Sequence, residues 1–368
     1  MTRPEKNNRV NTAALIEERL KLWFAGSPQG PVVLELFPSA RCNLNCIFCR
    51  RSDHYPLFKK HNSEVPDAKY RALIEEGIAL GVREVTFKGG GEPLMRRELV
   101  EFSAPRFARA GVNGLMVTNG TLLDDELSAL LVAQAWAEVT ISLDAPDAAT
   151  HDHIRQKPGT FALALKAARR LAEAKVRAGV AAPVIKFHAV LTNLNAARVG
   201  ELISLAAGCG ANAFELDSLD ASEPSAGELK LSQADTRAFE AALEDGIALA
   251  KKLGVAVNLA AFRKSAYIDR HAPRPGTPPC LYPWFQVSVQ ANGSLVPCCV
   301  AGMRSDGGRM HELSLEDAWF KRDMREIRAA FTSGSRPAFC VHCSPLQMSL
   351  NAELFARLSA DTPMEHDK

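Results

Sequence analysis

The chain of 368 residues lacks the features that would place it in a membrane or on a nucleic acid. It has no apolar run of about 18 residues, which excludes a transmembrane helix. Its N-terminal segment, MTRPEKNNRVNTAALIEERL, is polar and lacks the hydrophobic region of a signal peptide. Lys and Arg number 44 against 42 Asp and Glu, so the net charge of +2 provides no field to attract nucleic acid or anionic lipid. We therefore expect a soluble, cytoplasmic protein with no nucleic-acid or membrane partner.

Cysteine is the residue type whose distribution is informative. The chain has nine, and an odd number without an export signal argues against a disulfide framework. Three of them lie close together between Cys42 and Cys49, and five lie in the last quarter of the chain. In a reducing compartment, such clusters usually hold metal. The remaining one, Cys209, has no partner in the sequence and is expected to be a buried thiol.

Short apolar runs alternate with helical patterns from residue 30 to about residue 260. This alternation predicts parallel strands joined by right-handed crossovers, either as a partial or full β/α barrel or as an open doubly wound sheet. A further strand is possible at Val255–Leu259. The predicted strands are Val32–Phe37, Glu84–Lys88, Gly114–Thr118, Glu138–Leu143, Val184–Leu191 and Ala213–Leu216. The predicted helices include Ala68–Leu80, Leu122–Gln134, Phe161–Ala174, Ala196–Ala206 and Ser232–Leu253.

The pattern changes after a proline-rich segment, His271–Cys280, which is typical of a domain boundary. Phe285–Gln290 alternates like a strand, Asn292 and Gly293 form a turn pair, and Leu295–Pro297 begins a return strand. A helix is predicted over Ser314–Thr332. The predicted domains are therefore an N-terminal extension (1–29), a barrel (30–270), a small β-hairpin-plus-helix domain (271–350) and a C-terminal tail (351–368).

The first cysteine group, in SARCNLNCIFCR, has the spacing C-x3-C-x2-C directly after the first predicted strand. One loop can wrap three such thiolates around a single metal centre. Three ligands leave a fourth position open, as a cluster needs if it is to bind a substrate or cofactor. A structural zinc site would need a fourth Cys or His at similar spacing, and none follows at that spacing.

These cysteines, with Phe48 before the last, resemble the signature of radical S-adenosylmethionine (SAM) enzymes. Three further segments match that family in order: FKGGGEPL with Gly90, Gly91 and Glu92, then VTNGTLL, then ISLDAPDAATHDHIRQ. All four follow successive predicted strands, and the resemblance extends over roughly residues 30–220. It implies a partial (β/α)6 barrel of the TIM-barrel type, with its reactive face at the rim where the strands end.

The resemblance also implies the cofactors and their binding residues. Cys42, Cys46 and Cys49 would hold a [4Fe-4S] cluster, whose open iron chelates SAM. Reductive cleavage of SAM would then give a 5'-deoxyadenosyl radical that abstracts a hydrogen atom from the substrate, with an electron donor such as flavodoxin or ferredoxin as partner. The glycines would let the backbone approach the SAM amino group. The implied SAM contacts are Phe48, Gly90, Gly91, Glu92, Thr118, Asn119, Ser142, Asp144, Arg155 and Asn195.

The C-terminal segment from PCLYPWFQVSVQANGSLVPCCVAG to FCVHC resembles the auxiliary-cluster domains called SPASM and twitch. Since no cysteine follows Cys343, the resemblance supports one auxiliary [4Fe-4S] cluster. Its implied ligands are Cys280, Cys298, Cys340 and Cys343, with Cys299 as an alternative to Cys298. A zinc site made by the same four cysteines is the other possibility.

A fully ligated auxiliary cluster suits electron transfer, so our first hypothesis is a radical SAM oxidoreductase. It would oxidise a sugar, cyclitol or similar polar metabolite, with the auxiliary cluster as electron acceptor. The alternative is crosslinking or epimerisation of a ribosomally made peptide. No catalytic acid or base can be named from the sequence. Several polar residues could face the substrate from the later part of the rim: Lys186, His188, Glu215, Asp217 and Arg263.

Overall fold

The computed structural model describes residues 11–49, 64–220, 224–263, 278–299, 314–335, 337, 340 and 343–361. The strands of this part form one sheet in the order β7-β6-β5-β4-β3-β2-β1-β8-β9. Their bounds are β1 Val33–Leu36, β2 Glu84–Phe87, β3 Asn113–Thr118, β4 Glu138–Ser142, β5 Val184–Leu191, β6 Ala213–Ser218, β7 Ala256–Val257, β8 Gln286–Val289 and β9 Leu295–Val296. Every neighbouring pair is parallel except β8 and β9, which are antiparallel.

Helices follow most of the strands along the chain. Their bounds are α1 Thr12–Phe24, α2 Asp67–Ala79, α3 Arg97–Ala110, α4 Asp125–Ala133, α5 Ala148–Arg155, α6 Thr160–Ala178, α7 Val199–Gly208, α8 Gln233–Leu253, α9 Leu315–Phe320, α10 Asp323–Thr332 and α11 Pro345–Asp361. The sheet stays open between its β7 and β9 edges, so the fold is a partial β/α barrel, as predicted. No helix in the described ranges is long and apolar enough to cross a membrane.

The two faces of the sheet differ in polarity, and β5 shows this most clearly. Ile185, Phe187 and Leu191 are fully buried in the main core, which the helices cover. Lys186 and His188, which alternate with them, are only partly buried and point to the inner face. Because side chains alternate along a strand, this pattern separates an apolar outer face from a polar inner face.

The C-terminal hairpin is part of the barrel sheet. Strand β8 lies parallel to β1, with Glu35 opposite Ser288, so the predicted hairpin extends the barrel rather than standing apart from it. A second apolar cluster joins α1, the start of β8 and α11 through residues that include Leu20, Trp284 and Leu354. Helix α11 crosses the boundary predicted at residue 350.

Two predicted features need comment. The single helix expected over Ser314–Thr332 is wrong, because the helix breaks at Lys321 and Arg322. Arg328 explains the break. Its guanidinium donates a 2.8 Å hydrogen bond to the Trp319 carbonyl, which at the end of α9 no longer accepts a bond from a backbone N–H of the same helix. Most of the proline-rich segment predicted as a domain boundary lies outside the described residues.

Candidate functional site

The loop that carries the first three cysteines follows β1 and is held against α5. The Ile47 backbone N–H donates a 3.0 Å hydrogen bond to the Ile154 carbonyl at the end of that helix. A second turn bond, from the Cys49 N–H to the Cys46 carbonyl, also measures 3.0 Å. Cys42 is exposed and Cys46 is buried, with Cys49 between these extremes. The loop is therefore anchored to α5 directly after Cys46, and a turn joins Cys46 to Cys49.

The electrostatics around these thiols suit a positively charged metal centre. Although the residue as a whole is exposed, loss of water around its sulfur and the neighbouring groups Glu92, Cys46 and Cys49 raise the pKa of Cys42 to about 11, against a lowering by the backbone hydrogen bond of Leu44. Burial also raises the pKa of Cys46, which the charge of Arg155 partly opposes. The Arg155 Nη1 donates to the Cys46 sulfur at 3.6 Å. Because a bound metal displaces the thiol proton, iron would remove the cost of ionising these buried groups.

The glycine run after β2 packs directly on the cysteine loop. The Gly91 N–H donates to the Ser39 carbonyl at 2.8 Å, and the Glu92 N–H donates to the Arg41 carbonyl at 2.9 Å. A Cβ atom at Gly91 would lie 1.9 Å from the Arg41 carbonyl oxygen, which no side chain could tolerate. The structural need for Gly91 is thus the contact between the two loops, a reason that the sequence did not reveal.

Glu92 places a buried carboxylate beside the cysteine loop. It accepts hydrogen bonds from the Thr118 hydroxyl at 2.6 Å and from the Asn119 and Leu94 backbone N–H groups at 2.9 and 3.2 Å. Within the described residues no Lys or Arg pairs with it, and burial raises its pKa. A buried carboxylate with only neutral donors is suited to receive an ammonium group, such as the amino group of SAM.

Asp144, Arg155 and Asn195 form a connected group at the ends of β4 and β5. The Arg155 Nη2 lies 2.6 Å from the Asp144 Oδ2, and both side chains are almost fully buried. The Asn195 Nδ2 donates to the Asp144 and Val190 carbonyls, each at 2.8 Å. These bonds join the two strand ends. The predicted SAM contacts of these three residues stay predictions, and in this structure their polar atoms bind one another.

The remaining predicted contacts surround the same loop. The Asn119 Nδ2 donates to the Asn43 Oδ1 at 2.9 Å, and the Asn43 Nδ2 donates to the Thr121 hydroxyl at 2.8 Å. Phe48 and Ile47 pack against an apolar cluster built on Leu219, Ala226 and Leu229. A cavity of about 330 Å³ adjoins the loop, with a mainly polar lining of Ala40, Cys42, Asn43, Leu44, Asn45, Gln156 and Lys157. The cysteine loop therefore has polar groups facing the cavity at Cys42 to Asn45 and apolar contacts at Ile47 and Phe48.

Sequence reasoning missed Asn43 and Thr121, although both lie inside motifs that it quoted. Asn43 is the residue after the first cysteine, and Thr121 follows the TNG turn. Only their contact across the loops reveals that they belong to the site. Cys209, predicted to be a buried thiol, is 2% exposed and confirms that prediction.

The second cysteine group lies where β8, β9 and α11 begin or end. Cys280 precedes β8, Cys298 and Cys299 follow β9, and Cys340 and Cys343 precede α11. All five are partly buried. Tyr282 is partly buried; loss of water around its hydroxyl, and then the negative charges of Cys280, Cys299 and Cys298, raise its pKa. The choice between Cys298 and Cys299 as a cluster ligand stays a prediction.

The described cysteine side chains do not converge on a single point. In the described ranges, no three Cys, His, Asp or Glu side chains converge closely enough to hold a single ion. A [4Fe-4S] cluster attaches each thiolate to a different iron, so it does not require such convergence. The donor set, three thiols in one loop and five near the C-terminal hairpin, fits iron–sulfur clusters.

The predicted substrate-facing residues divide into two groups. Lys186 lies on the inner face between Glu138 and Glu215, at 2.9 and 3.0 Å from their carboxylates. His188 and Asp217 lie on neighbouring strands of that face. Arg263 instead pairs with Glu244 of α8 at 2.7 Å on the protein surface, so its side chain is engaged away from the inner face.

Comparison with known proteins gives two family matches. Residues 36–206 match the radical SAM superfamily, and residues 280–344 match SPASM, an iron–sulfur cluster-binding domain. The chain is 29% identical over 310 residues to the PqqA peptide cyclase of Gluconobacter oxydans. This alignment covers 79% of this chain and 77% of the cyclase. It is 32% identical to the mycofactocin maturase MftC of Mycobacterium tuberculosis, over 52% of this chain and 46% of that protein.

The fold has a solved counterpart in SuiB of Streptococcus suis bound to S-adenosylmethionine. The two structures align with a TM-score of 0.64 at 17% identity, covering 89% of this chain and 74% of the other. At this level of identity the likeness shows the fold alone. From the two family matches and the fit of both cysteine groups, the chain belongs to the radical SAM superfamily, with SAM and a [4Fe-4S] cluster as cofactors and a further iron–sulfur cluster in its SPASM domain.

Proposed function

We propose that this radical SAM enzyme modifies a peptide, by forming a crosslink or ring within it. The observation that carries the proposal is the similarity to the PqqA peptide cyclase, which extends over 79% of this chain and 77% of that protein. The mycofactocin maturase is a second relative named for a maturation reaction. Of the two hypotheses drawn from the sequence, these relatives favour the peptide over a sugar or cyclitol.

The cofactors supply, when bound, the radical that removes a hydrogen atom from an unactivated C–H bond. The chain's own residues would hold the reactants. Glu92 is placed to bind the amino group of SAM, and Ile47 and Phe48 provide an apolar wall near the cysteine loop. Arg155 fixes the end of β4 through its 2.6 Å pair with Asp144. Together they orient SAM toward the inner face of the barrel.

The inner face is suited to a polar substrate such as a peptide. Lys186 bridges Glu138 and Glu215 across three neighbouring strands, and all three side chains are partly exposed. Thr140 and His188 lie on the same face of β4 and β5. Backbone amides and polar side chains of a peptide can exchange hydrogen bonds with these groups as they leave water. In the part of the chain that the structure describes, β7 and β9 are the two edges of the sheet and do not pair with each other.

The auxiliary cluster is proposed to accept an electron during this reaction. Ring formation between two side chains removes two hydrogen atoms from the peptide. One leaves as a hydrogen atom taken by the 5'-deoxyadenosyl radical, and the other leaves as a proton and an electron. A cluster with all its irons bound by cysteine has no open site for substrate, so accepting that electron is a suitable role. An external donor of one electron would start each cycle by reducing the SAM-binding cluster.

The test uses the anaerobically reconstituted enzyme with SAM and a chemical reductant. Candidate peptides are short products encoded beside this gene, and the comparison substrates are cyclitols and amino sugars. We expect a peptide to stimulate 5'-deoxyadenosine formation at least about tenfold, and to lose two hydrogen atoms by mass spectrometry, as a ring closure requires. A Cys49→Ala variant serves as the inactive control.

Two results would overturn the proposal. The first is modification of a cyclitol or sugar, with no effect of any encoded peptide on deoxyadenosine formation. The second is a peptide product of unchanged mass. This result would favour epimerisation over ring formation, although the substrate would still be a peptide. Tandem mass spectrometry and chiral amino-acid analysis of the product distinguish these cases.

A further inference from the structure

Lys88 is a partly buried cation at the end of β2, immediately before the glycine run. Its side chain is 20% exposed, and its ammonium pairs with the Glu35 carboxylate on β1. The ammonium also lies 5.7 Å from the centre of the Phe37 ring. Burying a lysine costs free energy unless its charge is compensated. An uncharged residue at this position would cost less on folding, so the presence of the cation needs an explanation.

The partners of Lys88 extend across three adjacent strands. One oxygen of Glu35 accepts from Lys88 on β2, and the other accepts from the Ser288 hydroxyl on β8. Glu35 and Ser288 stand opposite each other in the sheet register. Glu35 is itself only 7% exposed. These bonds fix the ammonium on the inner face and leave it little freedom to turn toward solvent.

The same ammonium reaches the second cysteine group. It interacts electrostatically with the side chain of Cys299, whose sulfur accepts a 3.4 Å hydrogen bond from the Gln347 Nε2. Cys299 follows Cys298, the predicted ligand of the auxiliary cluster. Lys88 therefore lies between the glycine run that packs on the SAM-site loop and the cysteines of the SPASM domain. Neither family match assigns a role to such a cation.

We propose that Lys88 is a positioning residue that raises the reduction potential of the auxiliary iron–sulfur cluster. Reduction adds negative charge to the cluster, and a fixed cation close to the cysteine group that would hold it stabilises the reduced form. The surrounding protein is of low dielectric, so the charge acts more strongly than it would in water. This inference depends on the auxiliary cluster and not on the identity of the substrate.

The test compares the midpoint potentials of both clusters in reconstituted protein, by redox titration followed with electron paramagnetic resonance. Lys88→Met removes the charge, and Lys88→Arg keeps it. Lys186→Met is the matched control, since Lys186 is also a partly buried lysine between glutamates on the inner face, but on β5. We expect Lys88→Met to lower the ratio of reduced to oxidised auxiliary cluster at least tenfold at a given applied potential. For a one-electron couple, this corresponds to a midpoint potential lower by about 59 mV.

Lys88→Arg should recover most of that shift, and Lys186→Met should leave the auxiliary potential unchanged. The potential of the SAM-binding cluster should stay the same in all three variants. An unchanged auxiliary potential in Lys88→Met, or an equal shift of both clusters, would overturn the proposal. If Lys88→Met fails to load iron, Lys88→Gln is measured in its place. Loss of auxiliary iron from both neutral variants, with normal loading of Lys88→Arg, would assign Lys88 to holding the cluster and would also overturn the proposal.

Discussion

At the scale of single residues, the polar side chains of the SAM site are held in place mainly by one another. Glu92 accepts three hydrogen bonds, and Arg155 contacts both Asp144 and Cys46. Side chains that are already ordered lose less conformational entropy when a ligand binds. The residues predicted to contact SAM are therefore already ordered by these bonds in this structure.

His151, beside this site, makes the free energy of unfolding depend on pH. It lies on α5, is 1% exposed, and its Nδ1 accepts a 3.2 Å hydrogen bond from the Asp144 N–H. Burial, and then the charge of Arg155, lower the pKa of His151 to about 4. Between that value and about 6.5 the unfolded chain binds a proton that the folded protein does not, so the free energy of unfolding falls as the pH is lowered. We expect this group to cost up to about 3 kcal/mol at pH 4 relative to pH 7.

The measurement is urea unfolding of wild type and His151→Gln across this pH range, under anaerobic conditions without iron. As the pH falls, the free energy of unfolding should decrease more for the wild type than for His151→Gln. His153→Gln, on the exposed side of the same helix, should keep the wild-type slope. Parallel pH profiles for wild type and His151→Gln would show that His151 is not the group responsible.

At the scale of secondary-structure elements, much of the barrel could be predicted from the sequence. Strands β1 to β6 are short apolar runs because their outer sides, such as Phe187 and Leu191, are completely covered by helices. The start of α8 was also predictable, since Ser232 and Asp235 form a capping box by local hydrogen bonds. Sequence patterns best predict those features that depend on interactions between residues close together in the chain.

Features set by distant contacts could not be predicted. The pairing of β8 with β1 joins segments about 250 residues apart, and the alternation of Gln286 to Val289 predicts a strand without naming its partner. The break between α9 and α10 depends on the Arg328 bond to the Trp319 carbonyl, which a continuous helix would not contain. In the site, the motifs predicted Glu92 and Gly91, but not that Gly91 is required by the Arg41 carbonyl.

Tyr70 provides a test of the junction between β1 and β8. Its buried hydroxyl on α2 lies 2.8 Å from the Phe37 carbonyl and 2.9 Å from the Gln290 carbonyl, just beyond the ends of these two strands. Tyr70→Phe leaves both buried acceptors without this donor and should lower the free energy of unfolding by about 1 to 3 kcal/mol. Ser204→Ala, which removes an exposed hydroxyl within α7, should cost less than about 0.5 kcal/mol. Equal losses measured by urea unfolding would contradict the account of the junction.

At the scale of the whole molecule, one sheet carries both cysteine groups. Strand β1 leads into the SAM-site loop, and its neighbour β8 follows Cys280. Because the two strands are parallel neighbours, the loop after β1 and Cys280 before β8 lie at opposite ends of this strand pair, and the inner face lies between them. This placement is consistent with electron transfer between the substrate at the inner face and the auxiliary cluster.

Removal of the auxiliary cluster should separate its role from SAM cleavage. The enzyme is expected to hold about eight irons per chain, and the double variant Cys340→Ala, Cys343→Ala about four. The variant should still form 5'-deoxyadenosine with SAM and reductant, while oxidised product per deoxyadenosine falls sharply. Iron and zinc analysis, with both products quantified, checks this. Tightly bound zinc in wild type with only about four irons would favour a four-thiolate zinc site instead.

The central claim is that Cys42, Cys46 and Cys49 hold the cluster that cleaves SAM. The most direct test measures 5'-deoxyadenosine formed from SAM by anaerobically reconstituted protein and a strong reductant. Wild type and Cys209→Ala, which changes a buried cysteine outside both groups, should form it. Changing any one of the three loop cysteines to alanine should abolish it, because a cluster deprived of one ligand cannot keep its SAM-binding iron in place. Undiminished 5'-deoxyadenosine formation by Cys46→Ala would contradict the account.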